Sequence, residues 1–125
     1  MSEESRFSRS VPGRRLRSEE SAVTRTLLQG VYPTAVLESV LTTSRVVDMQ
    51  DGGMGSVRFL GSEPRSFDRT LVEAKYVDSD GVLVSIAVNA DNHGQLFELD
   101  FWKVDFSPLK RYPKPSDVSD ITVAQ

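Results

Sequence analysis

Gln95-Leu96-Phe97-Glu98-Leu99-Asp100-Phe101-Trp102-Lys103-Val104-Asp105-Phe106 reads as an extended segment with two unlike faces. Phe97, Leu99 and Phe101 fall on one face, and Glu98, Asp100 and Trp102 on the other. A strand joins a core through one apolar face. Two carboxylates and the chain's single Trp on the opposite face are not needed for that, which makes the polar face a candidate working surface.

Working upstream, apolar parity and turn chemistry supply the partners. Pairing Val88 with Phe97 and Ile86 with Leu99 closes a hairpin over the four-residue turn Asp91-Asn92-His93-Gly94. One hairpin earlier, Val72, Ala74 and Tyr76 meet Val84, Ile86 and Val88 only if Asp78 pairs with Val82. The loop is then Ser79-Asp80-Gly81. A two-residue loop would set Lys75 among the valines, because a one-residue slip inverts the faces. A first hairpin pairs Val47 with Val57 and leaves Asp51-Gly52-Gly53 as its loop, with Gly53 supplying the left-handed residue. Gly61–Asp68, containing Pro64, is a longer connection.

Before the strands, Glu19 and Glu20 suit a helix N-terminus after Ser18. Ala22, Val23, Thr26 and Leu27 make an apolar stripe, and Gly30 is a stop. A second short helix follows Pro33, using Val36, Leu37 and Val40. The pattern predicts an α+β fold, with N-terminal helices packed on an antiparallel sheet of about five strands in a hairpin meander.

The expected organisation is a flexible basic arm over 1–17, a single α+β domain over 18–112 and a flexible tail over 113–125. The arm carries Arg6, Arg9, Arg14, Arg15 and Arg17 against Glu3 and Glu4, a balance of +3. Residues 18–112 hold 14 acidic and 9 basic residues, a balance of −5. The arm has one aromatic, Phe7, and little to pack with, so weak nucleic-acid contact is the most it suggests. A composition of 38% hydrophobic and 26% charged residues is that of an ordinary globular protein. The absence of cysteine excludes disulfides, thiolate catalysis and thiolate metal sites. No apolar leader or run of 18 apolar residues is present, so the expected location is cytoplasmic, with no membrane partner.

Other motif readings fail. Gly52-Gly53-Met54-Gly55 leads into alternating residues and not into a helix with Lys and Ser or Thr, so it is a turn and not a phosphate cradle. Asp78-Ser79-Asp80-Gly81 lacks the later ligands of a calcium loop, and His93 has no second His or Cys to work with. No cofactor, metal or catalytic residue is expected.

The same register collects Asp48, Arg58, Glu73, Lys75, Glu98, Asp100 and Trp102 on one face, with Ser85 across from Asp100 and Leu83 across from Trp102. These are the candidate partner-binding residues. A solvated face with routine cross-strand pairs, each worth ~0.2–1 kcal/mol, accounts for the same pattern. The favoured functional reading is a non-catalytic binding module for a basic protein, with Trp102 as anchor. The alternatives are a hydrolase or lyase using Glu98 or Asp100 as general base, and a homodimer joined through the Leu83–Trp102 patch.

Asp51-Gly52-Gly53-Met54-Gly55-Ser56, Asp80-Gly81-Val82, Leu96-Phe97-Glu98-Leu99-Asp100 and Trp102-Lys103-Val104-Asp105-Phe106-Ser107-Pro108-Leu109 together carry a resemblance. Over residues 18–113 the chain resembles a family of small bacterial proteins of unknown function. The resemblance implies no activity, cofactor or site residue. By analogy of size and charge alone, immunity partners of bacterial toxins are the concrete version of the binding module.

Overall fold

Val84, Ile86 and Val88 sit beside Ala74, Tyr76 and Val72 on one side and Leu99 and Phe101 on the other, and all are buried. This is the centre of the computed structural model, which describes residues 13–124. Its strands are β1 (Arg14–Arg15), β2 (Arg45–Asp48), β3 (Val57–Phe59), β4 (Phe67–Val77), β5 (Leu83–Asp91), β6 (Leu96–Lys103) and β7 (Ser119–Val123). They form one antiparallel sheet in the order β1-β2-β3-β6-β5-β4-β7. Helices α1 (Ser18–Leu28) and α2 (Thr34–Thr43) bring Val23, Leu27, Leu28, Leu37 and Leu41 onto the apolar face of that sheet.

The expected α+β domain with about five strands is therefore overturned. Among the described residues the fold is a seven-stranded sheet with two short α-helices and a single 3-10 turn at Pro115–Asp117. The two additional strands come from the expected arm and tail: Arg14–Arg15 lines one edge as β1, and Ser119–Val123 lines the other as β7 against β4. β1 has only two residues, too few for a pattern, and the short alternation Asp120-Ile121-Thr122-Val123 of β7 follows a stretch broken by Pro113 and Pro115. The arrangement is not a simple meander either, since β3 pairs with β6 and not with β4. The rest of the expected arm, residues 1–12, lies outside the described residues.

Among the hairpins, β4–β5 has the expected register. Asp78 donates its backbone N–H to the Val82 carbonyl at 3.0 Å, and Gly81 adopts φ 81°. The first hairpin differs by one residue: Val46 pairs with Phe59, and Asp48 with Val57. Val46 and Val47 are both apolar, so parity alone does not choose between them, and Val46 is the one that enters the core. The loop is longer than expected because the Asp51 carboxylate accepts the Met54 N–H at 3.1 Å and the Ser56 N–H at 3.0 Å. Asp51→Ala leaves both donors without that acceptor, and a loss of about 1–3 kcal/mol is expected in urea unfolding.

The β5–β6 hairpin is displaced by two residues, which keeps the faces but changes the neighbours. Val88 pairs with Leu99, Ala87 with Asp100 and Ser85 with Trp102. The cause is a shift between Asn89 and Ala90, with Asn89 opposite Glu98 and Ala90 opposite Leu96. Phe97 is the extra residue of this bulge. Its ring leaves the core and lies under the guanidinium groups of Arg58 at 4.5 Å and Arg65 at 5.0 Å. Arg65 is itself fixed by the buried carboxylate of Asp91 at 2.9 Å, which also accepts the N–H groups of His93 and Gln95.

Candidate functional site

The face of the sheet away from the helices carries four rows of side chains, set by the alternation of β4, β5 and β6. The first row runs Thr70, Asn89, Glu98, Arg58. Thr70 Oγ1 donates to Asn89 Oδ1 at 2.9 Å, Asn89 Nδ2 to Glu98 Oε1 at 3.0 Å, and Arg58 to Glu98 Oε2 at 2.8 Å. Both Glu98 oxygens are engaged, and this row is a continuous network that leaves only the Arg58 Nε without a partner among the described residues.

The second row, Glu73, Ala87, Asp100, is different. No ion pair reaches Glu73 or Asp100 among the described residues. The small Ala87 and Ser85 leave a shallow depression of about 250 Å³ between them, bordered by Lys75. Burial raises the Asp100 carboxyl above the usual carboxylate range. The Glu98 and Asp51 charges act in the same direction, and the Ser56 hydroxyl at 3.3 Å only partly opposes them. A carboxyl whose folded pKa is raised contributes stability below its unfolded pKa, and that contribution is lost as pH rises through the folded value. Asp100→Asn is thus expected to raise the unfolding midpoint at neutral pH, with the gain disappearing below about pH 4. Urea unfolding at several pH values checks this.

The third row is Lys75, Ser85, Trp102, and the fourth is Val77, Leu83 with Val104 beyond the end of β6. Trp102 is 48% exposed, and Val77, Leu83 and Val104 are also exposed. The Phe106 ring meets Trp102 edge-on with centroids 5.0 Å apart. The face therefore grades from a continuous polar network, through two unpaired carboxylates, to an apolar end.

Of the seven residues expected on this face, six are on it: Arg58, Glu73, Lys75, Glu98, Asp100 and Trp102. Asp48 is not. The slip in the first hairpin turns it to the helix side, where Arg14 bridges it at 2.7 Å and reaches the buried carboxylate of Glu20 at 2.9 Å. Ser85, not Leu83, lies across from Trp102. Sequence reasoning missed Val77, Val104 and Phe106, although even-numbered parity from Trp102 already pointed to the last two.

Lys103 was also missed. It follows Leu99 and Phe101 on the inward face and is wholly buried. Its Nζ donates to Asp78 at 2.8 Å, Asp80 at 2.7 Å and the Pro108 carbonyl at 3.0 Å. Burial opposes its charge, but the two carboxylates outweigh that and hold its pKa above the ordinary value. The knot pins the turn that carries Phe106 to the β4–β5 loop.

Among the described residues no cluster of three or more His, Asp or Glu side chains is placed to hold a metal ion, and no helix is long and apolar enough to cross a membrane. A family model, Domain of unknown function (DUF6984), matches residues 13–113, and the chain belongs to that family. The match begins at β1, inside the expected arm. No curated protein and no solved structure matches the chain.

Proposed function

We propose that this chain, a member of that family, is a non-catalytic binding module whose uncovered sheet face receives a basic protein. Its most concrete version is a cytoplasmic bacterial immunity-type protein that neutralises a toxin. The observation that carries the reading is the exposed Trp102 patch one row from Asp100, with Glu73 at the far end of the Asp100 row, two carboxylates that have no ionic partner among the described residues. Leaving Asp100 without a cation costs the free protein stability, and a cation on the partner would recover that cost. Trp is among the residue types most often found as interface anchors, and Trp102 is 48% exposed on this face.

The general-base reading is weaker for Glu98, whose oxygens already accept from Arg58 and Asn89. Affinity capture from the source cell with the native chain and with an Asp100→Ala, Trp102→Ala variant tests the proposal. A basic protein retained by the first, lost by the second and released by rising salt supports it. Capture of nothing, or of the same set by both chains, overturns it.

A further inference from the structure

Phe106 carries two costs at once. It is 63% exposed, and its backbone sits at φ 65°, in the left-handed region where Gly or Asn is the ordinary choice. Nothing in the core calls for a Phe here, since the turn closes through backbone and neighbouring groups. The Phe106 N–H donates to the Lys103 carbonyl at 2.9 Å. The Asp105 carboxylate accepts the Ser107 N–H at 3.0 Å and the Ser107 hydroxyl at 2.7 Å. On the far side, Lys103 grips the Pro108 carbonyl. A bulky residue held in a disfavoured backbone region by an over-determined surround points to a role outside stability.

We infer that Phe106, presented by this turn against Trp102, is a second aromatic anchor for the basic protein partner, and that its strained backbone pre-sets the anchor before contact. The inference rests on the binding-module reading and adds a position to it. The occupant follows from charge. Asp100 lies two residues from Trp102 on the same face, and Asp105 adjoins Phe106, so carboxylates rim the aromatic pair with Lys75 as the neighbouring cation. A second copy of this chain would bring like charges together, whereas a basic surface would meet them with opposite ones. Edge-on packing against Trp102 orients the Phe106 ring, so less side-chain freedom is lost on docking.

The test combines two measurements on the full chain. Phe106→Gly suits the positive φ, so its melting temperature is expected to equal or exceed that of the native chain. Its affinity for the basic protein retained by the native chain is expected to fall roughly 30-fold, the loss typical of an interface anchor. In parallel, p-benzoyl-phenylalanine placed at position 106 and irradiated in the source cell is expected to cross-link to a Lys- or Arg-bearing peptide of that protein. The same group at exposed Val36 on α2 should not. A lowered melting temperature makes Phe106 a structural residue and overturns the inference, as does a cross-link only to a second copy of this chain. Unchanged affinity of Phe106→Gly, with loss in the Asp100→Ala, Trp102→Ala variant, overturns the inference alone. Retention of no basic protein overturns both readings.

Discussion

Asp78→Asn is expected to destabilise the fold by about 3–5 kcal/mol, the range for removing one partner of a buried ion pair. Asp78 and Lys103 have no exposed side-chain surface, and their charged atoms lie 2.8 Å apart. The carboxylate also accepts backbone N–H groups from Ser79 at 2.7 Å, Lys110 at 2.7 Å and Arg111 at 3.0 Å. An amide offers one acceptor oxygen and turns an NH₂ group towards donors, so both Lys103 and the strand-end backbone lose a partner. Burial works to raise the Asp78 pKa, but the Lys103 ammonium and these N–H donors outweigh it and hold it down to about 2.

The sign of the pH dependence follows. A depressed carboxyl contributes stability above its unfolded pKa, and that contribution is lost as pH falls through the folded value. The gap between native and Asp78→Asn in urea unfolding should be full above about pH 4 and should close towards about pH 2. An apolar Asp78→Leu, Lys103→Met pair is expected to recover little, because the Lys110 and Arg111 N–H groups would remain without their acceptor. A pH-independent gap would show that the ion pair is not what holds the turn.

Trp102→Ala carries the second large effect, on binding. Truncating an interface anchor costs about 2 kcal/mol or more, equivalent to roughly a 30-fold loss in affinity. Trp102 is half-exposed on the sheet face, and its ring contact is Phe106, not the core, so the cost to folding should stay under about 1.5 kcal/mol. The partner's affinity should also fall with added salt, because the carboxylates beside Trp102 act through charge. Asp100→Asn should make that salt dependence shallower. Calorimetric titration at low and high salt reads all three quantities. Loss of folding in parallel with loss of binding would make Trp102 a structural residue and remove it from the interface.

Where turn chemistry and apolar parity agreed without competition, the chain was readable. Val72, Ala74 and Tyr76 could face Val84, Ile86 and Val88 in one way only, and Gly81 closed that hairpin as expected. Ambiguity entered where two adjacent residues were both apolar. Val46 and Val47 allow either parity, and the choice is made by contacts distant in sequence, among them the Arg14 bridge between Asp48 and Glu20. That slip is why Asp48 left the candidate face. The β5–β6 displacement comes from a bulge that frees Phe97 to pack under Arg58 and Arg65, and alternation has no way to signal an inserted residue. The edge strands β1 and β7 were hidden because β1 is two residues long and β7 is a short alternation after Pro113 and Pro115. Lys103 looked like a strand-end cation, and only the fold brings Asp78 and Asp80 to it.

The most direct test of the account compares Trp102→Ala with Asp48→Ala in their affinity for the basic protein retained by the native chain. The two residues were drawn together by sequence and are separated by the fold onto opposite faces of one sheet. Loss of affinity in Trp102→Ala with native affinity in Asp48→Ala is the predicted result. Equal affinities, or a larger loss from Asp48→Ala, would contradict the assignment of the uncovered face as the binding surface.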